Sequence, residues 1–235
     1  MNFKEIMHEL EQMGTEQTKK TYLRHGAREP LFGVRIGDMK KLVKYVKKDQ
    51  QLALDLYASG NNDAMYLAGL SIDPKSMTKD QLQTWVKQAY WHSPAEFTVA
   101  ACAAESPFGL DLAAEWIDSN EELIACAGWN TYTHFLSITP DDKIDFTKMN
   151  ELLIRIENTI QKEKNRVRYN MNNFVIGLGT FTKHFHHEAR LAAEKIGRVT
   201  VNVGNTACKV PFAPIYLEKV ESLGNIGKKK TSCRC

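Results

Sequence analysis

RVRYNMNNFVIGLGTF, residues 166–181, has the spacing of a helix but an unusual composition for one. At 100° per residue, one arc of roughly 120° collects apolar residues only and predicts a buried face. That face consists of Val167, Met171, Phe174, Val175, Leu178, Phe181 and Phe185. The stretch also carries three asparagines and two glycines, although a mid-helix glycine costs about 1 kcal/mol relative to alanine. Some contact should offset that cost.

A second stripe on this helix covers an arc of roughly 80° and contains no acidic residue. Its members are Arg166, Asn170, Asn173, Gly177, Thr180 and His184. Glycine lets a flat partner come close, asparagine offers neutral hydrogen bonds and arginine supplies charge, and such groups suit phosphate and sugar contacts. A solvated face, or a close helix–helix contact at Gly177, would explain the stripe equally simply.

Helical periodicity dominates the rest of the chain, and glycines and prolines divide it into roughly ten to twelve short helices. Leu70-Ser-Ile-Asp-Pro74 recurs as Leu136-Ser-Ile-Thr-Pro140, an offset that would hold two helix pairs. Stacked helix pairs form a curved solenoid with a concave inner face. The only strand signal is the alternation around Gly204-Asn205, which predicts at most a small β-hairpin at 199–210.

The bulk composition suits one domain or one continuous repeat array, with 235 residues of which 43% are apolar. We therefore assign residues 1–227 to a single domain and 228–235 to a flexible basic tail. No apolar stretch is long enough to span a membrane, and the N-terminus resembles no targeting peptide. Five unpatterned cysteines suit a reducing compartment, so we expect a cytoplasmic protein.

Charge is distributed unevenly along the chain, although the formal net charge is only +3. Residues 18–48 contain ten Lys or Arg against two acids, residues 94–145 contain ten acids against one lysine, and residues 146–235 contain sixteen basic residues against seven acids. Two basic arms flanking an acidic centre favour a polyanionic partner held between the arms. Uneven solvation of helix surfaces is the simpler alternative.

The first basic arm contains a helix, GDMKKLVKYVKK, whose lysines share an arc beside its apolar stripe. They are Lys40, Lys41, Lys44, Lys47 and Lys48. Such a row could release counterions from a nucleic-acid backbone. Lys183 adds a candidate cation in the second basic arm.

Other chemistry finds little support in the sequence. HFHHE at 184–188 places His184 and His187 on neighbouring helical positions without a further ligand, so we assign no metal site. The absence of a phosphate-binding loop and of a dinucleotide fingerprint predicts no nucleotide cofactor, and we expect no cofactor of any kind.

Tyr90 and Trp91 precede a helix that starts at Pro94 and carries Glu96 in its first turn. Aromatic packing beneath a helix start is the common explanation, and a base-stacking pocket with a carboxylate is the alternative.

These residues resemble the DNA alkylation repair family, whose members are built from HEAT-like helical repeats. The resemblance is strongest at Leu31-Phe-Gly-Val-Arg-Ile-Gly-Asp-Met-Lys-Lys-Leu42, where a glycine turn precedes the basic helix. It implies an all-α, right-handed superhelix of antiparallel HEAT/ARM-like helix pairs that holds duplex DNA on its concave face. Some members excise cationic alkylated purines and stabilise the sugar cation left behind, using a carboxylate and aromatic rings.

Excising members carry an aspartate four residues after the tryptophan that precedes the helix, and the matching position here is Ala95, with Glu96 beside it. Their arginine corresponds to Cys126, and their second aromatic residue to Asn173. The resemblance therefore leaves Trp91 and Glu96 as the candidate catalytic pair, and the departures argue against excision activity.

Our leading interpretation is a DNA-binding protein of this family that grips double-stranded or branched DNA through its phosphates. The candidate contacts are Lys40, Lys41, Lys44, Arg166, Asn170, Asn173 and Lys183. The alternatives are an alkylpurine DNA glycosylase that uses Glu96 with Trp91, and a helical scaffold for another protein.

Overall fold

The computed structural model describes residues 1–234, and these residues form thirteen α-helices and no β-strand. The predicted all-helical fold class is confirmed. The helices form two compact units: unit 1 comprises Met1–Phe108, Val203–Ala207 and Arg234, and unit 2 comprises Gly109–Asn202 and Cys208–Cys233. The division into one domain and a tail stays a prediction. Within residues 1–234, no helix is long and apolar enough to cross a membrane.

Unit 1 contains seven of the helices and one π-helical turn. They are α1 (Phe3–Met13), α2 (Glu16–Arg24), α3 (Ile36–Val46), α4 (Gln50–Ala58), α5 (Asn62–Ser71), α6 (Lys79–Gln88), the π-helical turn Pro94–Val99 and α7 (Ala100–Glu105). Side-chain caps define several helix starts, and such caps are each worth about 1 kcal/mol. Asn2 and Glu5 form a reciprocal capping box at α1, and Thr78 and Gln81 form one at α6.

Asp63, at the start of α5, fixes the loop that leads into α3. Its buried carboxylate accepts hydrogen bonds from the backbone amides of Phe32, Gly33 and Val34, at 2.7, 3.1 and 2.9 Å. Burial raises the pKa of Asp63, and the three amide donors oppose that rise because they stabilise the carboxylate. The loop that precedes the lysine-rich helix is therefore held rigidly against α5.

Unit 2 contains the remaining helices. They are α8 (Gly109–Trp116), α9 (Glu122–Ile138), α10 (Phe146–Thr159), α11 (Asn165–Phe181), α12 (His186–Ile196) and α13 (Ala213–Ser222). Helix α11 is the centre of the unit, because it packs against α9, α12 and α13. The apolar stripe of α10 is buried as its spacing predicts, and each fully buried aliphatic side chain contributes about 1.5–3 kcal/mol.

The two copies of the internal sequence echo occupy equivalent positions. Helix α5 ends at Ser71 and helix α9 at Ile138, so each copy begins within the last turn of a helix. A short 3-10 turn follows in both cases, at Pro74–Ser76 and at Asp141–Lys143. The echo thus marks the same kind of helix-to-helix connection at two points, four helices apart.

The described residues form no β-hairpin at 199–210, where the sequence predicts at most a small one. Side chains of unit 2 bond backbone groups of Asn202 and of the residues just before this segment. The Asn165 side chain bonds both the amide and the carbonyl of Asn202, at 2.8 Å each, and the Gln161 amide donates to the carbonyls of Ile196 and Arg198. Because side chains occupy these groups, they form no ladder between two strands.

The residues after α13 run along unit 2 and make defined contacts there. Three backbone or side-chain groups bond to the C-terminal ends of α11 and α9: Gly227 N to Thr180 O (2.8 Å), Lys229 Nζ to Leu136 O (3.0 Å) and Lys230 N to Ser137 O (2.7 Å). A lysine at a helix C-terminus is favoured by the helix dipole. The flexibility expected of residues 228–235 stays a prediction, and the segment is docked in this structure as far as Arg234.

Arg234 ends the described chain in unit 1. Its guanidinium donates to the carbonyls of Gly69 and Ile72, at 3.4 and 2.5 Å, and to the carboxylate of Glu105, at 3.0 Å. The arginine therefore caps the C-terminus of α5 and neutralises an acid at the end of α7.

Candidate nucleic-acid interface

The lysine row of α3 lies on the solvent side of that helix. Met39, Leu42 and Val46 are buried against unit 1, so the lysines between them are exposed. Lys40 and Lys44 have no carboxylate partner within the described residues, and the Lys44 ammonium lies 4.9 Å from the centre of the Tyr45 ring. The row therefore presents positive charge that is available to an anion.

Lys41 differs from its neighbours, because its ammonium lies 2.8 Å from a carboxylate oxygen of Asp38. The pair is well exposed and contributes little to stability. The Lys41 ammonium lowers the pKa of Asp38, so that carboxylate stays charged near neutral pH. A phosphate that approaches Lys41 would meet a partly neutralised cation, whereas the charges of Lys40 and Lys44 are not offset in this way.

The sequence stripe of α11 separates into exposed and buried positions. Arg166 is half-buried at the start of the helix, and its guanidinium carbon lies 4.2 Å from the centre of the Tyr169 ring. Asn173 is also half-buried, and Lys183 is exposed just after the helix ends. Arg166, Asn173 and Lys183 are thus the candidate contacts that remain accessible on this side of unit 2.

Asn170 is fully buried, and its side chain belongs to the contact between α11 and α9. The Asn130 amide of α9 donates both to the Asn170 side-chain oxygen and to the Cys126 carbonyl, and the Asn170 amide donates to the Arg166 carbonyl at 3.1 Å. Two buried asparagines therefore satisfy each other across the helix pair, as buried polar groups require. In this conformation Asn170 exposes no group to a phosphate.

Gly177 and Gly179 explain the unusual composition of α11. A β-carbon on Gly177 would lie 2.8 Å from the Thr133 methyl group of α9, and one on Gly179 would lie 2.8 Å from side-chain carbons of Ala189 and Leu217. Neither gap admits an ordinary side chain. The glycines allow neighbouring helices to approach α11 closely, and that packing offsets their intrinsic cost.

Trp91 and Glu96 lie in the interior of unit 1. Trp91 is 7% exposed, its indole nitrogen donates to the Asn62 side chain at 2.9 Å, and its ring packs with Tyr22 at a centroid distance of 6.3 Å. Glu96 is 1% exposed and lies in the π-helical turn Pro94–Val99. Such turns are frequent at functional sites, yet neither side chain presents an open face to a sugar or a base in this structure.

A cavity of about 640 Å³ borders this region of unit 1. Its lining includes the loop 28–30, the C-terminal ends of α4 and α6, and Tyr90. The sequence offered a base-stacking pocket at Tyr90-Trp91 as an alternative, but it did not place the loop 28–30 or the end of α6 beside these rings. Lys87, which lies on its wall, carried no recognisable signal because it is an isolated lysine at a helix end.

Several acids of the central segment are neutralised by local partners. Asp118 lies 2.6 Å from Arg155, and Asp141 lies 2.9 Å from Lys229. Because these acids have nearby cations, the acidic centre repels a polyanion less than its formal charge suggests. Within residues 1–234, no group of three or more His, Cys, Asp or Glu side chains is placed to hold a metal ion.

Two known proteins are similar in sequence to nearly the whole of this chain. The uncharacterized protein Lmo0209 of Listeria monocytogenes is 35% identical over 228 residues, which are 94% of this chain and 98% of that protein. The uncharacterized protein Lin0241 of Listeria innocua is 33% identical over 231 residues, which are 96% of this chain and 100% of that protein.

One solved structure matches 100% of both chains with a TM-score of 0.94 and 36% sequence identity. It is described as a new family of proteins related to the HEAT-like repeat DNA glycosylases with affinity for branched DNA structures. The family described as DNA alkylation repair enzyme matches residues 6–196 of this chain, which include the lysine-rich helix, the π-helical turn and α11. The chain therefore belongs to the DNA alkylation repair family.

Proposed function

We propose that this protein binds double-stranded or branched DNA, and that it grips the phosphate backbone through cations on the concave face of its helical repeats. The observation that carries the proposal is the exposed lysine row of α3, in which Lys40 and Lys44 have no carboxylate partner among the described residues. Family membership and the affinity of the matched structure for branched DNA support it.

The proposed contacts are Lys40, Lys41 and Lys44 in unit 1, and Arg166, Asn173 and Lys183 in unit 2. Lysine and arginine contacts to phosphates release condensed counterions and carry no direct sequence information. We therefore expect binding that weakens steeply with salt and differs little between sequences. Asn170 is not among the proposed contacts, because its amide is buried in the α9–α11 contact.

The test is a titration of fluorescent duplex and four-way-junction DNA, measured by anisotropy at several salt concentrations. The variant Lys40→Glu/Lys44→Glu should weaken binding at least about tenfold at low salt, since two phosphate contacts are replaced by repulsion. Lys4→Glu/Lys75→Glu makes the same charge change at two exposed lysines elsewhere in unit 1 and should bind nearly as the wild type does. Affinity that stays flat between low and moderate salt would defeat the proposal.

One further variant distinguishes DNA binding from the alternative that the protein is a helical scaffold for another protein. Lys44→Glu combined with Arg166→Glu reverses one charge in each basic arm. If the double variant still binds DNA, the two arms are not the DNA site, and the scaffold interpretation is favoured.

The glycosylase alternative is favoured by the family description and by the π-helical turn that carries Glu96. In that mechanism the Glu96 carboxylate would stabilise the sugar cation while Trp91 packs beside it. The burial of both side chains opposes it, because catalysis would require the interior of unit 1 to open around them. Release of alkylated bases from treated DNA distinguishes a glycosylase from a protein that only binds DNA.

A further inference from the structure

The cavity in unit 1 has the size and the chemical lining of a small-ligand site. Its volume of about 640 Å³ lies within the range of roughly 300–1,000 Å³ that is usual for such sites. Pro30, Met65 and Ala58 supply apolar wall, while Gln88 supplies an amide with both donors and an acceptor. A flat, partly polar ligand would find complementary surfaces on several sides.

The charge of the cavity is positive, because its acid is already neutralised. The Glu29 carboxylate lies 2.7 Å from the Lys19 ammonium and accepts a hydrogen bond from the Leu31 amide at 3.1 Å. Both interactions lower the pKa of Glu29, so its negative charge is fixed and paired. Arg28 and Lys87 line the same cavity as exposed cations with no carboxylate partner among residues 1–234.

Tyr90 gives the cavity a stacking surface whose position is fixed. The Arg28 guanidinium carbon lies 4.5 Å from the centre of the Tyr90 ring, and the Tyr90 hydroxyl donates to the Arg28 carbonyl at 3.4 Å. The next residue, Trp91, is anchored through Asn62 in the interior. Burial raises the pKa of Tyr90 to about 12, so the phenol stays neutral and does not repel an anion.

We propose that this cavity binds one unpaired nucleotide of a DNA substrate. The base stacks on the Arg28–Tyr90 pair, the Gln88 amide meets its edge, and Arg28 and Lys87 hold the adjoining phosphate. Bases stack on arginine planes and aromatic rings when they are splayed out of a helix. The inference rests on the proposed function, and it specifies which feature of the DNA is recognised: overhangs and unpaired residues at branch points are available to the cavity, and the paired bases of a flush duplex are not.

The experiment compares a flush duplex with the same duplex carrying one unpaired 2-aminopurine nucleotide at its end. Wild-type protein should bind the second DNA about tenfold more tightly, since stacking of one base is typically worth a factor of this order. Binding should also quench the 2-aminopurine fluorescence. Flush-duplex binding reports on the proposed function, while the gain from the unpaired nucleotide reports on the cavity.

The variants Tyr90→Ala and Lys87→Ala should each remove most of that gain and leave flush-duplex binding nearly unchanged. Tyr90→Phe keeps the ring and should keep the gain, which guards against a general loss of structure in Tyr90→Ala. Lys75→Ala removes an exposed lysine outside the cavity and should behave as the wild type does. Equal affinity of the wild type for both DNAs, or a gain that persists in Lys87→Ala/Tyr90→Ala, would overturn the inference even if duplex binding is intact.

Discussion

Helices α3 and α11 carry similar sequence signals but occupy different environments. Each has an apolar stripe beside a polar or basic stripe, and each contains glycine. In α3 the polar side faces solvent, and nothing lies within 4 Å of a β-carbon added to Gly37. In α11 part of the polar side faces α9, where Asn170 is bonded to Asn130 and Gly177 touches Thr133. A polar stripe can therefore mark either a ligand surface or a close contact between helices.

The same substitution at the two glycines should give the largest and sharpest contrast. Gly177→Ala places a methyl group 2.8 Å from the stiff Thr133 side chain, and we expect it to lower the free energy of unfolding by about 2 kcal/mol. Gly37→Ala meets nothing and removes freedom from the unfolded chain, so we expect a gain of about 0.5 kcal/mol. Urea denaturation measures both. Equal effects at the two sites would mean that α11 packs no more closely than α3.

The buried asparagine pair provides a second contrast, expected to be slightly smaller. Asn170→Ala removes the acceptor of the Asn130 amide, and we expect a loss of about 1.5 kcal/mol in unfolding free energy. Lys40→Ala on α3 should leave stability within about 0.5 kcal/mol, because its side chain is exposed. A double-mutant cycle of Asn130→Ala and Asn170→Ala tests the coupling directly. Additive effects in that cycle would show that the two side chains act independently.

Salt titration distinguishes the exposed lysines of α3 from the buried Asn170 of α11 in DNA binding. Each of Lys40→Gln and Lys44→Gln should reduce the slope of log affinity against log salt by about 0.9, the value expected for one lost phosphate contact. Asn170→Ala should leave the slope unchanged, because a buried neutral amide releases no counterion. A reduced slope in Asn170→Ala, in protein that is still folded, would mean that Asn170 itself contacts the DNA.

The Glu96→Gln substitution should have the smallest effect of all, because we expect no base release from either the wild type or the variant. Neither the wild type nor Glu96→Gln should liberate free alkylated purine from treated DNA, since Glu96 and Trp91 are both buried. Chromatography of the released bases measures this, with an active glycosylase as the positive control. Release by the wild type that disappears in Glu96→Gln would establish the glycosylase alternative.

The sequence predicted the features that depend on residues close in the chain. The apolar stripes of α3, α10 and α11 are buried largely as their spacing indicates, because helical periodicity alone determines which residues share a face. The connections after α5 and α9 follow from a proline shortly after a helix end. These properties need no knowledge of distant partners.

Features that depend on distant residues could not be predicted in this way. Asn170 and Asn173 share an arc, yet only Asn170 meets Asn130, which lies forty positions earlier in the sequence. No hairpin forms around Gly204-Asn205, and the Asn165 side chain, thirty-seven positions earlier, bonds both backbone groups of Asn202. The cavity beside Tyr90 joins the loop at 28–30 to the end of α6, and no local pattern connects those segments.

The docking of Arg234 has a practical consequence for protein engineering. This side chain supplies hydrogen bonds to the last carbonyls of α5, so residues at the far end of the chain complete a helix formed near its beginning. An affinity handle or fluorophore attached next to Arg234 would crowd this contact. Attachment at Met1, which is exposed, avoids that interference.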